Sequence, residues 1–115
     1  MTATLRPAFD YSRLPSERGR TRIVHIDAEW VYKVPTSDEG AIANWREARL
    51  WEHNASRPDD VYVRIAECYM LADGALMMRR VEPCFDSYDE MPDWVGAVDC
   101  AQVGYVDGEL VAYDL

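Results

Sequence analysis

Lys33 lies inside a run that is otherwise apolar and rich in β-forming residues, Trp30–Val34. A strand that packs against a core normally excludes an isolated charge, so a lysine at this position needs an anion beside it. The segment that follows has a helical pattern and carries Glu47. The two residues therefore predict an ion pair between a strand and the helix that comes next.

The strand that carries Lys33 is predicted to belong to a hairpin. Residues 22–26 and 29–34 have strand composition, and only Asp27-Ala28 separates them. Side chains alternate across a strand, so Lys33 lies on one face and Tyr32 on the other. We expect the face with Tyr32 to be the one that meets the core.

The element that carries Glu47 is predicted to be a helix near residues 38–55. Ser37 or Asp38 can cap its start. Apolar residues at three- and four-residue steps form the stripe expected to pack on the sheet: Ala41, Trp45, Ala48, Trp51 and Ala55. Glu47 lies beside this stripe.

Two more hairpins are predicted further along the chain. The first joins residues 61–71 to residues 75–81 through Asp73-Gly74, a strong turn signal. The second joins residues 101–106 to residues 109–113 through Asp107-Gly108. A short helix near Pro92 is expected between them.

This order of elements predicts an α+β domain, with a twisted antiparallel sheet of about five to six strands and one main helix packed on it. Residues 1–21 are expected to form an extended or mobile lead-in, and residues 22–115 the single domain. The predicted inner positions are Val24, Trp30, Tyr32, Trp45, Ala48, Val63, Ile65, Leu76, Met78 and Leu110.

Composition limits the classes of function. The net charge is −9, which excludes a broad basic surface for nucleic acid. No apolar run approaches the roughly 20 residues that a membrane-spanning helix needs, and the first residues lack the pattern of a secretory signal. We therefore expect a cytoplasmic protein with neither a nucleic-acid nor a membrane partner.

The order of elements, with Lys33 and Glu47 at their places, resembles the amino-terminal lobe of the protein-kinase-like fold over about residues 20–115. Residues 31–34 resemble the strand whose lysine holds nucleotide phosphates, and Glu47 stands where the partner glutamate of the following helix would be. Residues 75–83 resemble the strand that leads to the hinge between the kinase lobes. The pattern is also similar to small uncharacterised kinase-like proteins encoded by bacteriophages.

The resemblance also points to two aspartates as metal ligands. Residues 99–102 resemble a degenerate catalytic loop, and residues 110–115 are similar to the strand that ends in a metal-binding aspartate. Asp99 and Asp114 would bind magnesium only if both carboxylates converged and left a coordination position open. The alternative is that Asp99 lies in a turn and Asp114 in a solvated tail.

Several residues depart from the kinase pattern. Gly19 is the sole glycine where a glycine-rich loop should precede Lys33, and Asp99 follows Ala97-Val98 where the family has His-Arg. No asparagine stands at the second metal ligand, and the helical lobe is missing. Because phosphoryl transfer needs parts from both lobes, we expect no kinase activity and no cofactor.

The resulting hypothesis is a small non-catalytic, kinase-derived interaction protein, a phage accessory protein that binds a host protein or a second copy of itself. The surface that a second lobe would cover in a full kinase is expected to be the interface. Methionine suits adaptable contacts and tryptophan is enriched in binding hot spots. The interface residues predicted on this basis are Met77, Met78, Val81 and Trp94.

Two alternatives stay open. In one, the chain is a nucleotide-binding minimal kinase-like protein that uses Lys33 and Glu47 to bind ATP with magnesium, rather than as a structural ion pair. In the other, it is an acidic mimic of DNA that inhibits a DNA-binding protein. The second alternative is motivated by the net charge and by four acidic residues, Asp86, Asp89, Glu90 and Asp93.

Overall fold

The computed structural model describes residues 5–83, 91–98 and 102–115. Eight strands and two helices lie in this part of the chain. In chain order they are β1 (Ser16–Arg18), β2 (Arg22–Ile26), β3 (Trp30–Pro35), α1 (Asp38–Ser56), β4 (Cys68–Met70), β5 (Leu76–Arg79), β6 (Glu82–Pro83), a 3₁₀ helix (Asp93–Ala97), β7 (Val103–Val106) and β8 (Glu109–Ala112).

The main sheet has five antiparallel strands in the order β1-β2-β3-β5-β4. The hairpin predicted between residues 22 and 34 is confirmed as β2 and β3, in which Val24 lies opposite Lys33. The hairpin predicted at Asp73-Gly74 is confirmed as β4 and β5. Because β3 is the central strand, Lys33 lies in the middle of the sheet with a hydrogen-bonded neighbour on each side.

A second sheet is formed by β6, β7 and β8. Its hairpin turns at Asp107 and Gly108, as predicted, and both residues have positive φ, 51° and 82°. Two-residue hairpin turns of type I′ require this conformation. Residues 64–66 pair with Ala112 of β8, so most of the strand predicted at residues 61–71 lies outside the main sheet. The α+β class with one main helix on an antiparallel sheet is confirmed.

Helix α1 begins as the sequence predicts. The side chain of Ser37 accepts a hydrogen bond from the backbone N–H of Gly40, and acidic residues occupy the first turn, where the helix dipole favours them. The helix is 19 residues long and has a largely polar surface. No helix in the described part of the chain has the length and apolar character needed to cross a membrane.

The helix packs on the face of the sheet that carries Lys33, and not on the face predicted to meet the core. Its main apolar contacts are Ala48 with Cys68, Leu76 and Met78. The opposite face, with Tyr32 only 3% exposed, is covered by the segment before β1. Both faces of the sheet therefore carry a packed layer, and the residues before β1 supply one of the two layers.

The covering segment contributes aromatic side chains. Phe9 and Tyr11 stack on Tyr32, with ring centroids 4.9 Å and 5.5 Å away, and Leu14 packs in the same cluster. Hydrogen bonding to Asp73 and burial raise the pKa of the Tyr11 hydroxyl to about 12, burial being the larger cause. Part of the sequence expected to be a lead-in thus takes part in the fold, and so does strand β1.

The predicted apolar stripe of the helix needs correction. Trp45 is 52% exposed, whereas the buried positions of the helix are Gly40, Asn44, Glu47, Ala48 and Asn54. Polar residues face the sheet here because the sheet presents charged groups to them. Of the other predicted inner positions, Tyr32, Ala48, Ile65, Leu76 and Met78 are buried, and Val24, Trp30, Val63 and Leu110 are half-buried.

We expect Gly40→Ala to lower the free energy of unfolding by about 1–3 kcal/mol, as overpacking does. A Cβ at residue 40 would lie 2.1 Å from the backbone oxygen of Thr21, where the helix approaches the start of β2. Alanine is otherwise the better helix former, so the sign of the change is informative. Urea denaturation measures it, with Gly96→Ala as the control because a Cβ there meets nothing within 4 Å. Equal or greater stability of Gly40→Ala would contradict the close approach.

Candidate functional site

The ion pair predicted from the sequence is present. Lys33 Nζ lies 2.8 Å from Glu47 Oε1, and the two residues are only 5% and 1% exposed. Lys33 also donates a hydrogen bond to the backbone oxygen of Tyr113. The strand and the helix are thus joined by a buried, charge-assisted hydrogen bond, and the chain after β8 is attached to the same lysine.

Arg22 is a second cation on the same glutamate. Its Nη1 and Nη2 atoms donate to Glu47 Oε1 and Oε2, each over 3.0 Å, which is the parallel two-bond geometry that arginine and carboxylate favour. Nη2 also lies 2.9 Å from Asp114 Oδ1. Arg22 is 7% exposed, and its contact with Glu47 is buried, whereas its contact with Asp114 is only partly buried.

Asn44, on the turn of α1 before Glu47, completes the hydrogen-bond network around Arg22 and Lys33. Its side-chain oxygen accepts from Arg22 Nη1 over 3.0 Å, and its amide donates to the backbone oxygens of Lys33 and Gly74. Asn44 is fully buried. One side chain therefore fixes the arginine, the lysine strand and the turn between β4 and β5, which satisfies polar groups that would otherwise be buried without partners.

The opposite charges of the cluster keep its buried groups ionised, although burial alone favours their neutral forms. Burial alone would raise the pKa of the Glu47 carboxyl, but Lys33 and Arg22 together hold that pKa below its ordinary value of 4.5. Burial would lower the pKa of Arg22, and Glu47 and Asp114 reverse the effect and raise it. Since the pKa of Glu47 is lowered by folding, its contribution to stability is complete above about pH 4.5 and is lost as the pH falls through the folded-state pKa.

Three members of the cluster, Arg22, Lys33 and Asp114, line a cleft of about 840 Å³ between β1–β3, the first half of α1 and the chain after β8, and the two buried cations form its floor. Six of the 12 lysine and arginine residues of the chain line this cleft: Arg20, Arg22, Lys33, Arg46, Arg79 and Arg80. Within the described ranges the acidic lining residues are Glu17, Glu39 and Asp114. A strongly acidic protein thus concentrates its cations at one concave surface.

The cleft also has apolar walls. Val24, Ile26 and Val31 line it from the sheet, and Val81 and Pro83 from the chain that follows β5. Binding sites for small organic molecules commonly combine such walls with a few polar groups, and they have volumes of roughly 300–1,000 Å³. The arrangement can hold a molecule that is partly apolar and partly anionic.

Of the two predicted magnesium ligands, the structure describes Asp114 alone. Asp114 lies at the cleft, but its Oδ1 atom already accepts from Arg22, and a cation within hydrogen-bond distance repels a metal ion. No group of three or more His, Cys, Asp or Glu side chains that could hold a metal occurs in the described ranges. Asp99 lies outside them, as do Asp86, Asp89 and Glu90 of the proposed DNA mimic.

Cys68 lies beneath the cluster and is unsuited to nucleophilic chemistry. It is 1% exposed, and its Sγ lies 3.5 Å from the backbone oxygen of Glu47. Burial raises the pKa of the thiol, and the negative charge of Glu47 raises it further. Because the thiolate is the reactive form, this cysteine acts as a small core residue.

The four predicted interface residues do not make one surface. Met78 is fully buried in the core under the helix, so the expectation that it contacts a partner is corrected. Met77 is half-buried on the opposite face beside Tyr32, because neighbouring residues of a strand point to opposite sides. Val81 lines the cleft, whereas Trp94 packs in a separate cluster with the second sheet.

Sequence reasoning missed the roles of Arg22 and Asn44. Asn44 is three residues before Glu47, a spacing that places both on one side of a helix. Two polar residues at this spacing were the sequence signal that a polar side of the helix faces the lysine strand. Arg22 is two residues before Val24, which pairs with Lys33, so strand alternation puts both cations on the same face. The contact with Asp114 joins residues far apart in sequence and left no local pattern.

We expect Glu47→Gln to lower the free energy of unfolding by about 3–5 kcal/mol, because two buried cations would lose their shared carboxylate while the shape of the side chain is kept. Urea denaturation at neutral pH measures the loss. Glu39→Gln is the matched control on the same helix, since its pair with Arg20 is exposed to water and should leave the midpoint nearly unchanged. Equal effects of the two substitutions would contradict the importance of the buried pair.

The chain was compared with known proteins at three levels. No protein-family model, no curated protein and no solved structure matches it.

Proposed function

We propose that the protein is a non-catalytic binding protein whose cleft takes an anionic ligand of nucleotide size. The observation that carries this proposal is the concentration of basic side chains around one cleft of an acidic chain. Six basic and three acidic side chains line the described part of the cleft, and an excess of one sign of charge in a concave surface raises the local concentration of ions of the opposite charge. An anion is repelled by most of the surface and attracted to this place.

The shape and lining of the cleft narrow the class of ligand. Arg46 and Arg80 are exposed side chains at the cleft, whereas Arg22 and Lys33 are buried at its floor. The apolar walls suit a flat ring, and the cations suit phosphate groups. A nucleoside phosphate has both parts. The resemblance of residues 31–34 and Glu47 to the phosphate-holding elements of protein kinases supports the same class of ligand.

The proposal is restricted to binding, without phosphoryl transfer. That restriction rests on the departures of the sequence from the kinase pattern at Gly19 and before Asp99. The similarity to kinase-like proteins encoded by bacteriophages leads us to include a phage origin in the proposal. The protein would then retain a ligand-binding cleft of kinase descent and use it for recognition.

Isothermal titration should detect binding of ATP and ADP, and no binding of adenosine, in buffer without magnesium. We expect Arg46→Gln to weaken the binding of ATP by roughly threefold to tenfold, as loss of one partly screened cation does. Arg49→Gln is the control, because Arg49 lies on the same helix but stacks on Trp45 and is not part of the cleft lining. Binding should weaken as salt is added.

Absence of ATP binding by the unmodified protein at low salt would refute the proposed function. Equal losses in the two arginine variants would also count against it, because the effect would then come from net charge and not from the cleft. Binding of adenosine as tight as that of ATP would show that the cations play no part.

A second candidate function is the binding of a host protein or of a second copy, through a different surface from the one expected from the sequence. Ile42 and Trp45 are 57% and 52% exposed, and they lie three residues apart on α1. Residues at that spacing are neighbours on a helix surface. Tryptophan is enriched among the residues that contribute most to binding between proteins.

For this candidate we expect a concentration-dependent dimer, or a protein retained from host lysate, that Trp45→Ser removes. Tyr62→Ser is the control, because Tyr62 is another large aromatic residue, 67% exposed, at a different place on the surface. Sedimentation velocity at several concentrations and a parallel capture experiment make the comparison. A protein that remains monomeric and retains the same lysate proteins with and without Trp45 would contradict this candidate.

A further inference from the structure

The contact between Arg22 and Asp114 occupies the place in the cleft where an anionic ligand would be expected to bind. We propose that Asp114 is an internal counter-anion, which a phosphate-bearing ligand displaces from Arg22. This inference rests on the proposed function and adds a regulatory contact to the same cleft. In this role Asp114 competes with an anionic ligand for Arg22, whereas a metal ligand would bind a cation.

The two carboxylates on Arg22 differ in how firmly they are held. The Glu47 side chain is 1% exposed and binds both Arg22 and Lys33. The Asp114 side chain is 35% exposed and contacts Arg22 over 2.9 Å. A carboxylate that reaches water gives up less when it leaves its partner than one that is buried. Glu47 is therefore the permanent partner of the arginine, and Asp114 the exchangeable one.

The charges of the cluster favour an exchange of anions. Arg22 and Lys33 carry two positive charges, which Glu47 and Asp114 balance. If Asp114 swings away, one positive charge is left at the floor of the cleft, and a phosphate group restores the balance. A ligand that adds its charge without displacing Asp114 would meet the repulsion of a carboxylate beside the arginine.

The exchange would also alter the chain beside Asp114. Lys33 donates to the backbone oxygen of Tyr113, so the two buried cations hold two consecutive residues. Tyr113 donates its own backbone N–H to Gln102 over 3.0 Å, which attaches the same segment to the chain before β7. Displacement of Asp114 would loosen one of the three contacts and give ligand binding a structural effect at residues 113–115.

The test compares Asp114→Asn with the unmodified protein in titrations with pyrophosphate and with ADP, without magnesium. Asparagine keeps the size of the side chain and removes the competing charge. We expect the variant to bind both ligands about three- to tenfold more tightly. Asp59→Asn is the control for net charge, because it removes one negative charge at an exposed residue that is not part of the cleft lining.

A second measurement separates displacement from a change in stability. In nitrogen-15 spectra, saturating ADP should shift the backbone signals of residues 113–115 in the unmodified protein. In Asp114→Asn, these signals should already lie near the bound position before ADP is added. The same preparation reports on folding, since a variant with dispersed signals elsewhere is folded.

The outcomes distinguish this inference from the proposed function. If the unmodified protein binds ADP and Asp114→Asn binds it equally or more weakly, the counter-anion role is wrong and the proposed function stands. If added magnesium makes ADP binding depend on an intact Asp114, the residue is a metal ligand and the inference is overturned. If neither protein binds pyrophosphate or ADP, the proposed function fails and the inference fails with it.

Discussion

The attachment of two buried cations to one glutamate is the constraint on which the rest of the structure depends. Glu47 is almost inaccessible to water, and it is stable as an anion because Lys33 and Arg22 both donate to it. Desolvation of three charged groups is unfavourable, and only short contacts with satisfied hydrogen-bond partners offset it. The helix must therefore lie close to the sheet at this place. Gly40 permits that approach, and Asn44 satisfies the remaining donors and acceptors.

The cluster explains why apolar residues are distributed as they are. Asn44 and Glu47 occupy the buried side of the first half of the helix, and Trp45, the neighbour of Asn44, lies at the surface, whereas Trp51 further along the helix packs against the core. The sheet then has a partly polar face under the helix and a more aromatic face around Tyr32. The aromatic face needs a cover, which the segment containing Phe9 and Tyr11 supplies.

The parts of this structure that sequence reasoning could predict are those encoded by neighbouring residues. Asp107-Gly108 fixes a hairpin turn because few residues adopt positive φ, and Lys33 in an apolar strand requires an anion nearby. The position of Trp45 could not be derived in this way, since periodicity ranks residues by hydrophobicity and the favoured orientation was set by charge. Arg22 and Asp114 are 92 residues apart, so no local pattern connects them. The same holds for the packing of Phe9 on Tyr32.

The composition of the cleft follows from the same cluster. A floor in which two cations are balanced by two carboxylates is close to neutral, so in the proposed function the anion is attracted by the arginines around the floor, such as Arg46 and Arg80. Those side chains reach water and are free to change conformation around a ligand. Arg22 and Lys33 are not, because both are bound to the buried Glu47. Asp114 is intermediate between these two groups of residues, because it contacts the buried Arg22 but is itself partly exposed. Of the four charged groups, Asp114 is therefore the one whose loss from the cluster is least unfavourable, which is why the proposed exchange of anions is assigned to it.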